Sequence, residues 1–269
     1  MVRFKFFLGF LFVLAVGIHF SCTSDNRDIN TQVSGELATK NNTYANYKRS
    51  NNIQYSWDTS NQELLVNRHP LPKGFALTNV DESSFEHWLR CLPMKPKGTP
   101  IKLFNGKKKM LQALNGGVLD IDVGKTDLQQ CADAVMRLRA EYLYSKKKFA
   151  NIHFNYTSGF NAEYSKWREG YKIGVKDNKA YYYKKTESTD KTYQGFRKYL
   201  WNVYNYAGTY SLNKELKKQS TKNIKEGDVL IIGGFPGHVV MVAAAAENAS
   251  GEKAVLLIQS YMPAQNIHI

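Results

Sequence analysis

The run Gly233-Gly234-Phe235-Pro236-Gly237-His238 closes a glycine-rich turn on a histidine and passes straight into Val239-Val240-Met241-Val242. A histidine at the first position of a strand sits at a sheet end. Its backbone is held and its ring can face a cleft, which is the placement a catalytic base needs. The competing reading is a turn histidine that hydrogen-bonds backbone. Asp120 and Asp122 alternate with Leu119, Ile121 and Val123, so both carboxylates share one strand face. That pair could bind a cation or form the wet side of an edge strand. Gly124-Lys125-Thr126 has the ending of a phosphate-binding loop, but Leu119 stands where the loop's first glycine belongs. No histidine pair has zinc-peptidase spacing, no cysteine pair has zinc-finger spacing, and the serine nucleophile elbow is absent. No metal or cofactor is therefore expected.

The elements that would carry these residues follow from periodicity. Leu128, Cys131, Val135, Leu138 and Tyr142 recur at helical spacing, so a helix is expected over 127–145. Thr126 and Gln129 have capping-box spacing, which makes Cys131 the fifth helical residue. The same stripe reads Cys131 as a small core hydrophobe. Cys91 and Cys131 could instead pair as a disulfide in an oxidising compartment. Ser83 and Glu86 open a short helix with Phe85, Trp88 and Leu89 on one face, ended by Pro93. A strand is expected over 117–123. A helix over 193–206 turns Phe196, Leu200, Val203 and Tyr204 inward, and Ser211 caps another reaching Lys218. Three apolar runs, 228–232, 238–244 and 254–260, are separated by turn residues and read as an antiparallel meander. The expectation is one α+β domain over 53–269, helices first and a sheet last.

Residues 1–21 read as a signal peptide. Arg3 and Lys5 precede an apolar core of 13 residues from Phe6 to Ile18, too short to span a bilayer. Ser21 before Cys22 resembles a bacterial lipobox, which implies lipidation of Cys22 and anchoring to a membrane. Residues 22–52 are rich in Asn, Ser, Thr and Asp and read as a flexible tether. The expected location is the cell envelope, periplasmic or surface-exposed. Lys and Arg number 37 against 23 Asp and Glu, a net charge of +14. An exported protein of this charge suits anionic surfaces such as acidic glycans or wall peptides, and nucleic acid is not an expected partner. Lys107–Lys109 and Lys146–Lys148 read as solvated faces. The 17 Tyr and 4 Trp suit glycan stacking, which keeps a non-catalytic binding protein open as an alternative.

The segment Gly227-Asp228 followed by Gly237-His238-Val239 resembles the corresponding segment of papain-like cell-wall hydrolases, the NlpC-type peptidases and CHAP amidases. The resemblance implies a papain-like architecture and a cysteine amidase or peptidase. Cys131 would then be the nucleophile and His238 its base. Gln259, or Ser260, would orient the imidazole. The stretches Leu119–Gly124, Gln129–Leu143 and Gln259–Gln265 are similar to the family called domain of unknown function 4846, over about residues 55–269. That resemblance implies an exported, often lipid-anchored protein of Bacteroides-type bacteria and carries no activity with it.

Overall fold

The computed structural model describes residues 47–184 and 189–269. The expected signal segment 1–21, Cys22 and the expected tether up to residue 46 lie outside the described residues. Tyr47, at the far end of the expected tether, already meets the body: its Oη lies 2.7 Å from Nδ1 of His87.

The spine is one long strand, β7 (His238–Asn248). Along one edge it pairs antiparallel with β6 (Val229–Ile232) and then with the short β1 (Phe75–Leu77). Its other edge carries β8 (Lys253–Ile258). The meander is therefore present, with a strand from far earlier in the chain added to it. Between β6 and β1 the ladder has a gap, and Glu226 fills it. Its Oε1 accepts the Ala245 amide at 2.7 Å and Arg90 Nε at 2.8 Å, while Arg90 Nη2 reaches Thr78 Oγ1 at 2.7 Å. Both side chains are buried, so the ion pair acts as a polar plug in the sheet edge.

The last residues extend this surface. Gln259 and His268 exchange both backbone hydrogen bonds at 2.9 Å, and Leu119 donates to Ile267 and Ile269 to Gly117 at 2.9 Å. The expected strand 117–123 is thus an extended segment held by isolated bridges. Its alternation is as expected, with Leu119, Ile121 and Val123 buried.

Helix α1 (Phe85–Arg90) and the central α2 (Cys131–Ser145) pack on β7. Twelve of the fifteen α2 residues are buried, so it is an interior helix with no broad wet face. Ser84, not Ser83, caps α1 by accepting the His87 amide at 3.1 Å. α4 (Tyr193–Tyr204) buries the four residues expected of it. α5 (Thr209–Glu215) begins at Gly208, and Ser211 lies within it, its Oγ accepting the Gly208 amide at 3.1 Å. Between α2 and α4 come two hairpins, β2 (His153–Asn155) with β3 (Asn161–Glu163), and β4 (Tyr171–Lys176) with β5 (Lys179–Lys184), with α3 (Tyr164–Arg168) between them. The class is α+β. No helix among the described residues is long and apolar enough to cross a membrane.

Candidate functional site

Helix α2 starts four residues later than the sequence suggests, and this changes the position of its cysteine. Thr126 does not cap it. Asp127 is drawn away: its Oδ1 accepts the Ala264 amide at 2.7 Å and Gln130 Nε2 at 3.1 Å. Gln130 is the N-cap, and its amide donates to Asp133 Oδ2 at 3.0 Å. Cys131 is therefore the first helical residue, not the fifth. At that position the helix's unpaired amides and positive end act at full strength. The amides of Ala132, Val239 and Cys131 itself favour the thiolate. Burial nevertheless outweighs these donors and raises the thiol above its ordinary pKa. Asp133, buried in the first turn, adds to the rise.

His238 opens β7, delivered by its turn as the sequence indicates. Gly237 before it admits no side chain: a Cβ there would fall on Thr209 Oγ1 and lie 2.7 Å from the carbonyl oxygens of Gly234 and Ile232. The imidazole Nε2 is 2.9 Å from Gln259 Oε1. An amide oxygen only accepts, so Nε2 carries the proton and Nδ1 is the basic nitrogen of the neutral ring. The Tyr261 ring packs on the imidazole with centroids 4.9 Å apart. Ser260 does not orient the ring. It is buried, and its Oγ reaches the Gln265 carbonyl at 2.9 Å and the Gln129 carbonyl at 3.3 Å.

Three segments thus converge: 129–131 at the head of α2, 238–239 at the head of β7, and 259–261 beyond β8. The Val239 amide, one residue past the imidazole, is among the groups that favour the Cys131 thiolate. A direct thiol–imidazole bond is made elsewhere, between Cys91 Sγ and His87 Nε2 at 3.7 Å. That pair is fully enclosed, and burial pushes the Cys91 thiol up to about 12. Both cysteines are free, so the alternative of a Cys91–Cys131 disulfide is not realised.

The helix head is braced from behind. Arg137, wholly buried, donates Nη1 to Gln129 Oε1 at 2.7 Å and Nη2 to Asp122 Oδ1 at 2.7 Å. Arg197 grips the same carboxylate through two bonds of 2.7 and 2.9 Å. Burial alone would raise the Asp122 carboxyl, but the two guanidiniums hold it well below the usual range. Asp120 accepts Thr59 Oγ1 at 2.6 Å and Asn61 Nδ2 at 2.8 Å. The aspartate pair is therefore taken up by protein partners, and Asp122 still keeps about half of its side chain exposed, as the wet side of an edge would. Among the described residues no group of three or more His, Cys, Asp or Glu is placed to hold a metal. Arg139 turns outward and stacks over Phe85 and Tyr142. A groove of about 410 Å³ opens between Trp57, Asp58, Lys95, Asp120, Asp122 and Tyr193, and neither Cys131 nor His238 lines it.

Sequence reasoning missed the Val239 amide, the Gln129–Arg137 brace and the Tyr261 ring. Only Tyr261 left a signal, two residues beyond Gln259 and so on the same side of an extended chain. Among families, the model described as a domain of unknown function (4846) matches residues 65–269. No curated protein and no solved structure matches the chain.

Proposed function

We propose that this chain, which belongs to the domain of unknown function 4846 family, is a papain-like thiol hydrolase that cleaves or transfers an amide bond in wall peptide or a related polymer. The observation that carries the reading is Cys131 at the first position of the central helix, with the residues before it tied through Ser260 to the segment whose Gln259 fixes the His238 imidazole. Burial keeps the Cys131 thiol protonated, so it needs a base, and Nδ1 of His238 is the nitrogen left free to serve. The thiol proton passes to Nδ1 as sulfur bonds the carbonyl carbon. The tetrahedral oxyanion takes the amides at the helix head. The imidazolium then protonates the leaving amine, and water, deprotonated by the same imidazole, releases the acyl group and restores the thiol. Gln259 fixes the ring, while Gln129 and Arg137 act as positioning residues. The envelope location, the lipid on Cys22 and the wall substrate belong to the same proposal.

A second reading has an observation of its own. Cys131 is only 9% exposed and its thiol is raised, as in an inert core cysteine. In that case the fold is a binding protein for a glycan or protein ligand. Incubating purified sacculi with wild type and with Cys131→Ala separates the two. The hydrolase reading expects muropeptide release by wild type alone, and equal release by both ends it.

A further inference from the structure

The hairpin β4–β5 carries a surface that the thiol site does not use. Its register pairs Lys172 with Tyr183, Gly174 with Tyr181 and Lys176 with Lys179. Directly paired residues share a face, so one side of the hairpin is composed of Lys, Tyr and Gly alone. The opposite side anchors the hairpin. Ile173 is buried there, and Tyr182 Oη donates to the Asn161 carbonyl at 2.9 Å and accepts the Glu163 amide at 2.6 Å.

On the outer face, Tyr181 is 47% and Tyr183 40% exposed, with ring centroids 6.1 Å apart. Gly174 explains how Tyr181 lies. A Cβ at that position would come within 2.8 Å of the ring's Cζ, so the ring is laid across the facing strand over the glycine. The ring is thereby held flat with its other side to solvent. Lys176 and Lys179 stand exposed at the turn end of the platform. Lys172 holds its ammonium 4.0 Å from the centroid of the Trp167 ring at the other end.

We infer that this face binds a carboxylate-bearing polysaccharide. Sugar rings stack on Tyr181 and Tyr183 and their carboxylates meet the lysines. Flat aromatic faces take the apolar side of a pyranose, and ammonium groups supply charge without demanding phosphate geometry. The face holds no arginine, the residue that stacking and bidentate recognition of nucleic acid favours, so a glycan is the better fit than a single strand. This surface stands whether or not Cys131 is a nucleophile.

Affinity electrophoresis of the full chain through gels containing polygalacturonate, dextran or poly-dT tests the assignment. Polygalacturonate is expected to retard the wild type, weakening with salt, and dextran to retard it less. Tyr181→Ala and Tyr183→Ala should each bind about 3- to 10-fold more weakly. Tyr181→Leu, which keeps apolar bulk over Gly174 without a ring face, should lose as much if it melts like the wild type. No retardation by polygalacturonate overturns the proposal. So does binding indifferent to both tyrosines, or poly-dT retardation as strong as that by polygalacturonate.

Discussion

Replacing Glu226 by Ala tests how far the sheet depends on its polar plug. Glu226 Oε1 receives the Ala245 amide at 2.7 Å and Arg90 Nε at 2.8 Å. The substitution therefore strips a backbone donor of its partner and leaves the Arg90 guanidinium buried without a counter-charge. Breaking one side of a buried pair costs about 3–5 kcal/mol. In a domain of this size each kcal/mol moves the midpoint by about 2–4 °C. Glu226→Ala is thus expected to melt about 6–20 °C below wild type, with a lower urea midpoint. The double variant Arg90→Met with Glu226→Leu should recover much of that loss, because the stranded charge is gone. A single variant within about 1 kcal/mol of wild type, the behaviour of a surface bridge, would refute the reasoning.

Three further outcomes follow from the geometry. Burial raises Asp133 from its ordinary value to about 8, despite the amide of Gln130 on its Oδ2. The unfolded chain loses this proton near pH 4 and the folded one keeps it, so Asp133 lowers stability as pH rises between those values. Asp133→Asn should accordingly gain melting temperature over wild type between pH 5 and pH 8, and a constant difference across that range would contradict the shift. Gly237→Ala forces a Cβ onto Thr209 and two carbonyls. Overpacking of this kind costs about 1–3 kcal/mol, and muropeptide release should fall because the displaced residue is next to His238; unchanged stability and activity would count against the close approach. Gln259→Ala frees the imidazole to rotate, so release should drop about 10-fold or more, short of the roughly 10²–10⁴ that general acid–base catalysis supplies. Parity with wild type would remove Gln259 from the site.

The sequence was most legible where one face of an element meets the core. The meander, the apolar face of α4 and the delivery of His238 to a strand head all follow from alternation, helical spacing and turn residues. The head of α2 was misread because Thr126 and Gln129 have good capping chemistry. What displaced that cap is Asp127 reaching Ala264, a contact across 137 positions that no local pattern encodes. The extended segment 117–123 kept its alternation but finds its partners in residues 93–95 and in the last residues, so it is bridged and not laddered. The β4–β5 hairpin did carry a local signal: Asp177 and Asn178 both take positive φ, the conformation of a tight two-residue turn. Its Lys–Tyr composition hid the alternation, since tyrosine and lysine stand on both faces. At the candidate site, His238 could be named from its place at a strand head, and Gln259 from the resemblance to papain-like hydrolases. The Val239 amide and the Arg137 brace could not, because backbone donors and buried charges show no periodicity.

The central claim is that Cys131 is a thiol served by His238. Native full-length protein treated with iodoacetamide and mapped by peptide mass spectrometry tests it most directly. Cys131 should be alkylated while Cys91, sealed beside His87, is not, and His238→Ala should slow modification of Cys131. A Cys131 that stays unmodified until the fold is denatured, or reacts at the same rate without His238, would contradict the account.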